Sequence, residues 1–307
     1  MKKTIFLILI ILCSISMCIG ISDMETDIII HSRIPRTISL VLSGVGLSLA
    51  GIIMQQLSMN RFSSPSIMGV NDCTLLGLSI ALLFFSSSNL WICVFIGFAF
   101  ACIGMLLITR ILDIIIIKDP LFIPLIGIMF GKVIQAIYLY IGYSYNILQD
   151  LQTWMLGDFS SIMTNRFELL YLIIPLVIVS YIYSVQLTMI GFGETISSSL
   201  GLDYNKIKYL GIFIVSMISS TTILIAGYLP FIGLIVPNIV NMFYGSNISK
   251  NLFYICSFGS ILTLFCDIIA RIVRYPFEVP ISLILGLIGS IIFIILILNR
   301  KRGDMNE

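Results

Sequence analysis

One run of residues without a single charge, Tyr209 to Ser249, constrains this chain more than any other feature. A membrane-spanning helix needs about 20 consecutive apolar residues. The run is too long for one such helix and long enough for two. The break between them falls in Gly227–Asn241, GYLPFIGLIVPNIVN. Gly227 and Pro230 stand close together there, and Gly233 and Pro237 follow within two turns. Proline removes a backbone donor and clashes with the preceding turn. In lipid the freed carbonyl must find another partner, so such backbone survives only where protein or a water-filled cavity surrounds it. Two readings stand at this point: a broken helix beside an internal pathway, or an ordinary hairpin between two spans.

Composition settles the class. Of the 307 residues, 59% are hydrophobic and only 10% charged, with mean hydropathy +1.10. A soluble domain of this size carries about 25% charge. The apolar runs are long and continuous rather than alternating, so the fold class is all-α and polytopic, not a β-barrel. The chain reads as a single transmembrane domain over 1–307. Its apolar runs mark about ten spans: Thr4–Ile21, Thr37–Leu57, Ser66–Phe85, Leu90–Thr109, Leu121–Gly142, Phe167–Tyr183, Leu210–Ala226, Phe231–Phe243, Leu252–Ala270 and Val279–Leu298. The first follows two lysines and resembles a signal peptide in outline, but its apolar stretch is long and lacks a good small-residue cleavage site. A first transmembrane helix is the expectation.

The basic residues give the orientation. With the N-terminus inside, the inner side holds Lys2, Lys3, Arg61, Arg110, Lys118, Lys206, Lys208, Lys250, Arg300, Lys301 and Arg302. The outer side then holds only Arg33, Arg36, Arg166, Arg271 and Arg274, with Lys132 inside a span. Both termini are therefore expected in the cytoplasm. A net charge of +2 spread over short connections gives no reason to expect nucleic acid. The seven cysteines (Cys13, Cys18, Cys73, Cys93, Cys102, Cys256, Cys266) lie in or beside apolar runs without a CxxC, and read as small packing residues.

Two connections are long enough to act. Asn146–Arg166 contains LQTWMLGDF, and its Trp154 and Phe159 suit a helix at the membrane interface. Thr188–Lys208 is too polar for lipid; Glu194 and Thr195 can open a short helix in it and Gly201 can close it. That helix is either a docking knob for a soluble partner or a surface loop. Small residues share faces in several spans: Gly44, Ser48 and Gly51; Gly97, Ala101 and Gly104; Ser282, Gly286 and Ser290. Such faces let helix backbones approach closely in a membrane.

The chemistry is sparse. There is no GxxxxGK[ST] loop for ATP, and the single histidine, His31, rules out an HExxH zinc site. Lys132 lies near the middle of the fifth span, and a charge there costs at least about 2.5–3.5 kcal/mol unless it faces a partner or a cavity. It is either a pathway residue or half of a structural pair. Gln55 and Gln56, at the inner end of the second span, are candidates for the pathway or for structural hydrogen bonds. Arg33, Arg36, Arg271 and Arg274 suit an acidic docking partner or lipid headgroups. An ion-coupled carrier would need a mid-membrane carboxylate, for which Asp72 is nearly the sole candidate.

Taken in order, several blocks resemble the permeases of bacterial iron-siderophore and vitamin B12 ABC importers, the FecCD-like type II importers. These are RIPRTISLVLSGVGLSLAGIIMQQL, NRFSSPSIMGV, TWMLGDFSS, LGLDYNKIKYLG, GYLPFIGLIVPNIV and CDIIARIVRYPFEVPISLILGLIGSIIFIILILNR. The second is closest to the ferric catecholate siderophore branch. Asn238 stands where many relatives have histidine, and Ser290-Ile291 replaces an Ala-Pro pair. The resemblance implies about ten helices in the type II importer permease fold, in the bacterial cell membrane. It implies a second permease subunit, two cytoplasmic ATP-binding subunits, an extracytoplasmic substrate-binding protein (a lipoprotein in some bacteria) and a ferric siderophore as cargo, with vitamin B12 or haem as alternatives. It implies no covalent chemistry and no cofactor in this chain. By residue, it makes Arg33, Arg36 and Arg271 the docking positions for the binding protein. Glu194, Ser198, Leu200, Gly201, Leu202 and Tyr204 fall in the ATPase-contacting segment. Lys132 falls on the helix beside the pathway.

Overall fold

The helix that organises the molecule is α2, Ile34–Leu57, entered through a π-helical turn at Ile29–Arg33 with Pro35 in its first turn. Proline is well placed there because the first amide of a helix has no intrahelical partner. Across its apolar window α2 is 78% buried, against 17% for α5 (Phe122–Ser144). At 1.5 Å per residue its 24 residues run about 36 Å, enough to cross a hydrocarbon core of about 30 Å. The computed structural model describes residues 2–19, 29–85, 90–114, 122–160, 162 and 167–303. Lys118 and Arg166, two of the residues used for orientation, lie outside them.

Every described element is helical. α1 (Lys2–Cys18) leads, and α3 (Val70–Phe84) and α4 (Leu90–Ile114) follow α2. After α5 comes a short α6 (Leu148–Met155). A 3₁₀ turn at Phe167–Leu172 runs into α7 (Ile173–Ile182), which bends by 72° into α8 (Ser184–Ile190). α9 (Glu194–Ser199), α10 (Tyr204–Ala226), α11 (Ile232–Tyr244), α12 (Ile248–Ile272) and α13 (Ile281–Gly303) complete the described chain. Among the described residues, five helices are long and apolar enough to cross a membrane, and the bent α7–α8 pair, taken as one span, makes a sixth. α3, α11 and the apolar part of α13 are shorter, and with α1 they correspond to the ten apolar runs of the sequence.

Side-chain capping marks two helix starts. Asp203 accepts from the Lys206 amide at 3.2 Å ahead of α10, and Asn247 accepts from the Lys250 amide at 3.3 Å ahead of α12. Such caps satisfy amides that the first turn leaves unpaired. The Lys206 side chain also bonds Asp203, which holds that carboxyl below its usual range.

Close helix crossings hold α2 in place. A Cβ on Gly44 would sit 2.5 Å from the Gly259 carbonyl oxygen of α12. One on Gly51 would collide with the Gly233 carbonyl of α11. The Gly233 carbonyl is the one that Pro237 deprives of its i+4 amide, and it packs against Gly51. Hydroxyls add bonds across the crossings: Thr263 Oγ1 to the Leu40 carbonyl at 2.9 Å, Ser260 Oγ to Val41 at 3.2 Å, and Ser220 Oγ of α10 to Val94 of α4 at 2.7 Å.

The break between α10 and α11 is a non-helical turn at residues 227–231, with Gly227 at φ 73° and Phe231 at φ 65°. Its backbone is bonded by the end of α6 and the segment after it. The Tyr228 amide donates to the Trp154 carbonyl at 3.0 Å, and the Asp158 amide to the Ala226 carbonyl at 3.2 Å. That segment is held in turn by α13, whose Ser282 amide donates to the Gly157 carbonyl at 3.2 Å. Of the two residues expected at an interface, Trp154 is half-buried and Phe159 is fully enclosed beyond the end of α6. The end of α6 and the segment after it therefore brace the break.

Candidate functional site

At the start of α2, three arginines and two carboxylates form one network. Arg36 extends two nitrogens to two acids: Nη2 to Asp267 Oδ1 at 2.8 Å and Nη1 to Glu278 Oε2 at 2.7 Å. Asp267 uses its other oxygen for Arg271, one turn along α12. Arg271 also donates to the Ser16 and Ile19 carbonyls, both at 2.9 Å, and Arg33 donates to the Met17 carbonyl at 2.8 Å. The last carbonyls of a helix have no intrahelical donors and form the negative end of its dipole. Arg33 and Arg271 therefore cap the end of α1 and join it to α2 and α12. Both are nearly enclosed, at 6% and 5% exposure, and Asp267 is at 1%. Arg274 is exposed and stacks over Phe277 at 5.8 Å.

The three arginines expected at the docking positions are thus brought together, and each holds partners within the chain. The acids that pair with Arg36 were not legible as its partners in sequence. Asp267 and Arg36 are 231 residues apart, and Glu278 and Arg36 are 242 apart.

The other end of α2 uses neutral amides. Gln55 is enclosed; its Nε2 donates to the Arg61 carbonyl at 2.8 Å and its Oε1 accepts from Asn241 Nδ2 at 3.3 Å. Asn238 Nδ2 reaches the same Arg61 carbonyl at 2.9 Å. The connection after α2 is thereby pinned to α11. Gln56 points the other way, and its Oε1 fills the space where a Cβ of Gly191 would stand. Met59, with φ 49°, brings its sulfur to Gly193. Gln55 is bonded within the chain, and Gln56, half-buried, packs against Gly191.

Gly191 and Gly193 lead into α9. Ser197 Oγ lies 2.8 Å from the Met189 carbonyl, tying α9 to α8. Of the residues expected in the contact segment, Glu194, Ser198, Leu200 and Gly201 are exposed, while Leu202 and Tyr204 are half-buried. Phe192 and Ile196 are 59% and 51% exposed and share the four-residue spacing of Leu200. Sequence reasoning passed over these exposed apolar residues, of which Ile196 lies within α9 while Phe192 and Leu200 flank it.

Lys132 stands exposed on α5, its Nζ donating to Gln135 Oε1 at 2.7 Å. Among the described residues it forms no ion pair with a carboxylate. Asp72, in the first turn of α3, lies against Gly131. Leu125, Met129, Val133, Tyr140 and Tyr143 extend the uncovered face of α5.

The family model for the FecCD transport family matches residues 4–299. The petrobactin import system permease protein YclN of Bacillus subtilis is 42% identical, over 97% of this chain and 98% of its own. The petrobactin import system permease protein FatD of Bacillus anthracis is 35% identical, over 96% of this chain and 90% of its own. A solved structure described as an inward-facing conformation of a metal-chelate type ABC transporter superposes with TM-score 0.83 at 23% identity, covering 97% of this chain and 98% of that one. That likeness is one of fold.

Proposed function

Because the chain belongs to the FecCD transport family, we propose that it is the permease subunit of an ATP-driven importer that carries a ferric siderophore across the bacterial cell membrane. The observation that carries this reading is the agreement of two relatives on one cargo, petrobactin, at 42% and 35% identity over at least 90% of each relative. The chain itself performs no covalent chemistry and supplies alternating access. It works beside a second permease subunit, two cytoplasmic ATP-binding subunits and an extracytoplasmic binding protein.

With both termini in the cytoplasm, as the basic residues favour, the arginine end of α2 faces outward and the amide end faces inward. α9 then meets the ATP-binding subunit, with Phe192, Ile196 and Leu200 as apolar contacts beside Glu194 and Ser198. Deleting residues 194–204 is expected to release the ATP-binding subunit in a pull-down; a retained complex removes that role. At the outer end, Arg36 receives the binding protein, and Arg33 and Arg271 hold the surface it meets.

Lys132 lines the pathway. An exposed charge on a spanning helix cannot be left facing lipid; among the described residues Lys132 bonds neutral Gln135 and feels Asp72 only beyond ion-pair distance, which leaves it available to an anionic chelate. Lys132→Met is expected to slow uptake about tenfold, the worth of one charged hydrogen bond of ~1.4 kcal/mol, with membrane expression intact. Collapse of expression would show a structural role instead.

The overall test is radiolabelled uptake in a strain lacking this gene, with and without the gene restored. The panel holds catecholate, hydroxamate and citrate chelates of iron, together with haem and labelled vitamin B12. Restoration confined to a siderophore supports the reading. Restoration only for vitamin B12 or haem moves the chain to another branch of the family. Uptake that follows an ion gradient without ATP removes the importer reading altogether.

A further inference from the structure

Behind Lys132 lies an acid, Asp72. Lys132 stands exposed on α5, and its Nζ donates to Gln135 Oε1 at 2.7 Å. Asp72 sits in the first turn of α3, where the helix dipole favours a carboxylate. A Cβ on Gly131 would stand 2.7 Å from Asp72 Oδ2, so the bare backbone of Gly131 is what lets the carboxylate rest on α5, one residue from Lys132. Lys132 and Asp72 attract each other across a gap wider than an ion pair.

Two more groups surround that carboxylate. Tyr138 of α5 is wholly enclosed and lies near both Gln135 and Asp72, yet among the described residues its hydroxyl forms no hydrogen bond of good geometry. A buried hydroxyl is seldom left unbonded in a settled network. Tyr228, in the break between α10 and α11, is also within electrostatic reach of Asp72.

We infer that Asp72 is a second resting place for Lys132, and that the ammonium passes to Asp72 as an anionic chelate leaves. Lys132 on Gln135 is the position open to cargo; Lys132 on Asp72 is the position that lets cargo go. This rests on the proposal above that Lys132 lines the pathway. Three features support it. The ammonium rides on a flexible four-carbon stem, so the exchange needs only rotation of the side chain. Gln135 is neutral and holds the ammonium more weakly than a carboxylate would. The Tyr138 hydroxyl is placed to turn to Asp72 while Lys132 is away, and to Gln135 once that amide is freed. Asp72 is thus a positioning residue, acting on cargo through Lys132.

A step that follows loading leaves its own kinetic mark. Slowing it lowers kcat and KM together and leaves kcat/KM unchanged, whereas a shortage of folded transporter lowers kcat alone.

The experiment uses the complete importer in lipid vesicles, with both permease subunits, both ATP-binding subunits, and loaded binding protein titrated outside. The cargo is the radiolabelled iron chelate that restores uptake in the panel above. Asp72→Asn is expected to lower kcat and KM each by about three- to tenfold, with kcat/KM unchanged. Lys132→Met is expected to lower kcat/KM about tenfold, and adding Asp72→Asn to it should cost nothing further, because Asp72 acts only through Lys132. Gln135→Leu removes the other resting place and should lower kcat/KM by about two- to fivefold; it carries the test if Asp72→Asn fails to assemble. Unchanged kcat and KM in Asp72→Asn, a fall in its kcat alone, or a loss that adds to that of Lys132→Met overturns the exchange. Unchanged kcat/KM in Gln135→Leu does the same. Ordinary kinetics in Lys132→Met overturns instead the pathway reading on which the exchange stands.

Discussion

The two ends of α2 are fixed by different chemistry. One end gathers five ionised side chains, with Arg36 divided between Asp267 and Glu278, and Arg271 and Arg33 capping α1. The other end gathers amides around a single carbonyl, that of Arg61, approached by Gln55 and Asn238. Charges in a low-dielectric setting are held by mutual need, and removing one strands the others. Amides lose one bond at a time, at about 1 kcal/mol each. The first end is walled in at Asp267 and partly exposed at Glu278. The second yields by steps.

Asp267 is where this contrast is most easily broken. Asp267→Asn leaves Arg36 and Arg271 without their shared charge, and losing one partner of a buried network costs about 3–5 kcal/mol. Thermal unfolding in detergent should show a large drop, with poor recovery from the membrane. A drop no larger than that of an amide substitution would remove the distinction between the ends. Arg33→Met should cost less, about 1–3 kcal/mol, because a buried carbonyl of α1 loses its charged donor. It should leave the affinity for the binding protein near that of the unaltered chain in whatever fraction folds. Arg36→Gln should do the reverse, losing affinity with a smaller loss of stability. These three substitutions separate the parts of the arginine cluster that hold the fold from the part that receives a partner.

How much of this was legible depended on range along the chain. The ten apolar runs were visible because lipid demands long charge-free stretches, and the helices fall within a few residues of them. The crossing faces were visible too, since Gly44 and Gly51 announce close approach even though their partners Gly259 and Gly233 do not. The break at Gly227–Asn241 was read from its glycines and prolines. What fills it was not legible: Trp154 and Asp158 belong to a stretch that reads as a helix at the membrane interface, and only the tertiary fold brings them to the break. The same holds for the arginines. Their residue type announced carboxylate binding, but the acids Arg36 holds come from α12 and the turn after it, far away in sequence. Lys132, open in sequence between a pathway residue and half of a structural pair, stands exposed with its Nζ on Gln135 Oε1.

At the amide end, Gln55→Leu should cost about 1–2 kcal/mol. It frees Asn241 Nδ2 and removes one of two donors from the Arg61 carbonyl, while Asn238 keeps the other bond. Because the connection after α2 stays partly pinned, the protein should assemble with its partner subunits and transport more slowly. A loss as large as that of Asp267→Asn would mean the carbonyl hub is as indispensable as the charge network, and the stepwise picture would fail.

The smallest effect on stability is expected where Gln56 meets Gly191. Gly191→Ala places a methyl group where the amide of Gln56 lies, but that amide is the free end of a flexible side chain and can turn away. Stability should fall by less than about 1 kcal/mol. Gln56→Ala removes the same contact from the other side at a similar cost. What both should change is the joint between the end of α2 and the turn into α9, because Gln56 and Met59 are the α2-side contacts to Gly191 and Gly193. The readout is therefore a ratio: chelate carried per ATP hydrolysed in reconstituted vesicles. Each single substitution should lower that ratio, and the double substitution should lower it little further, since both erase one contact. Additive losses would mean that the two residues act separately and that the contact transmits nothing from α9 to α2.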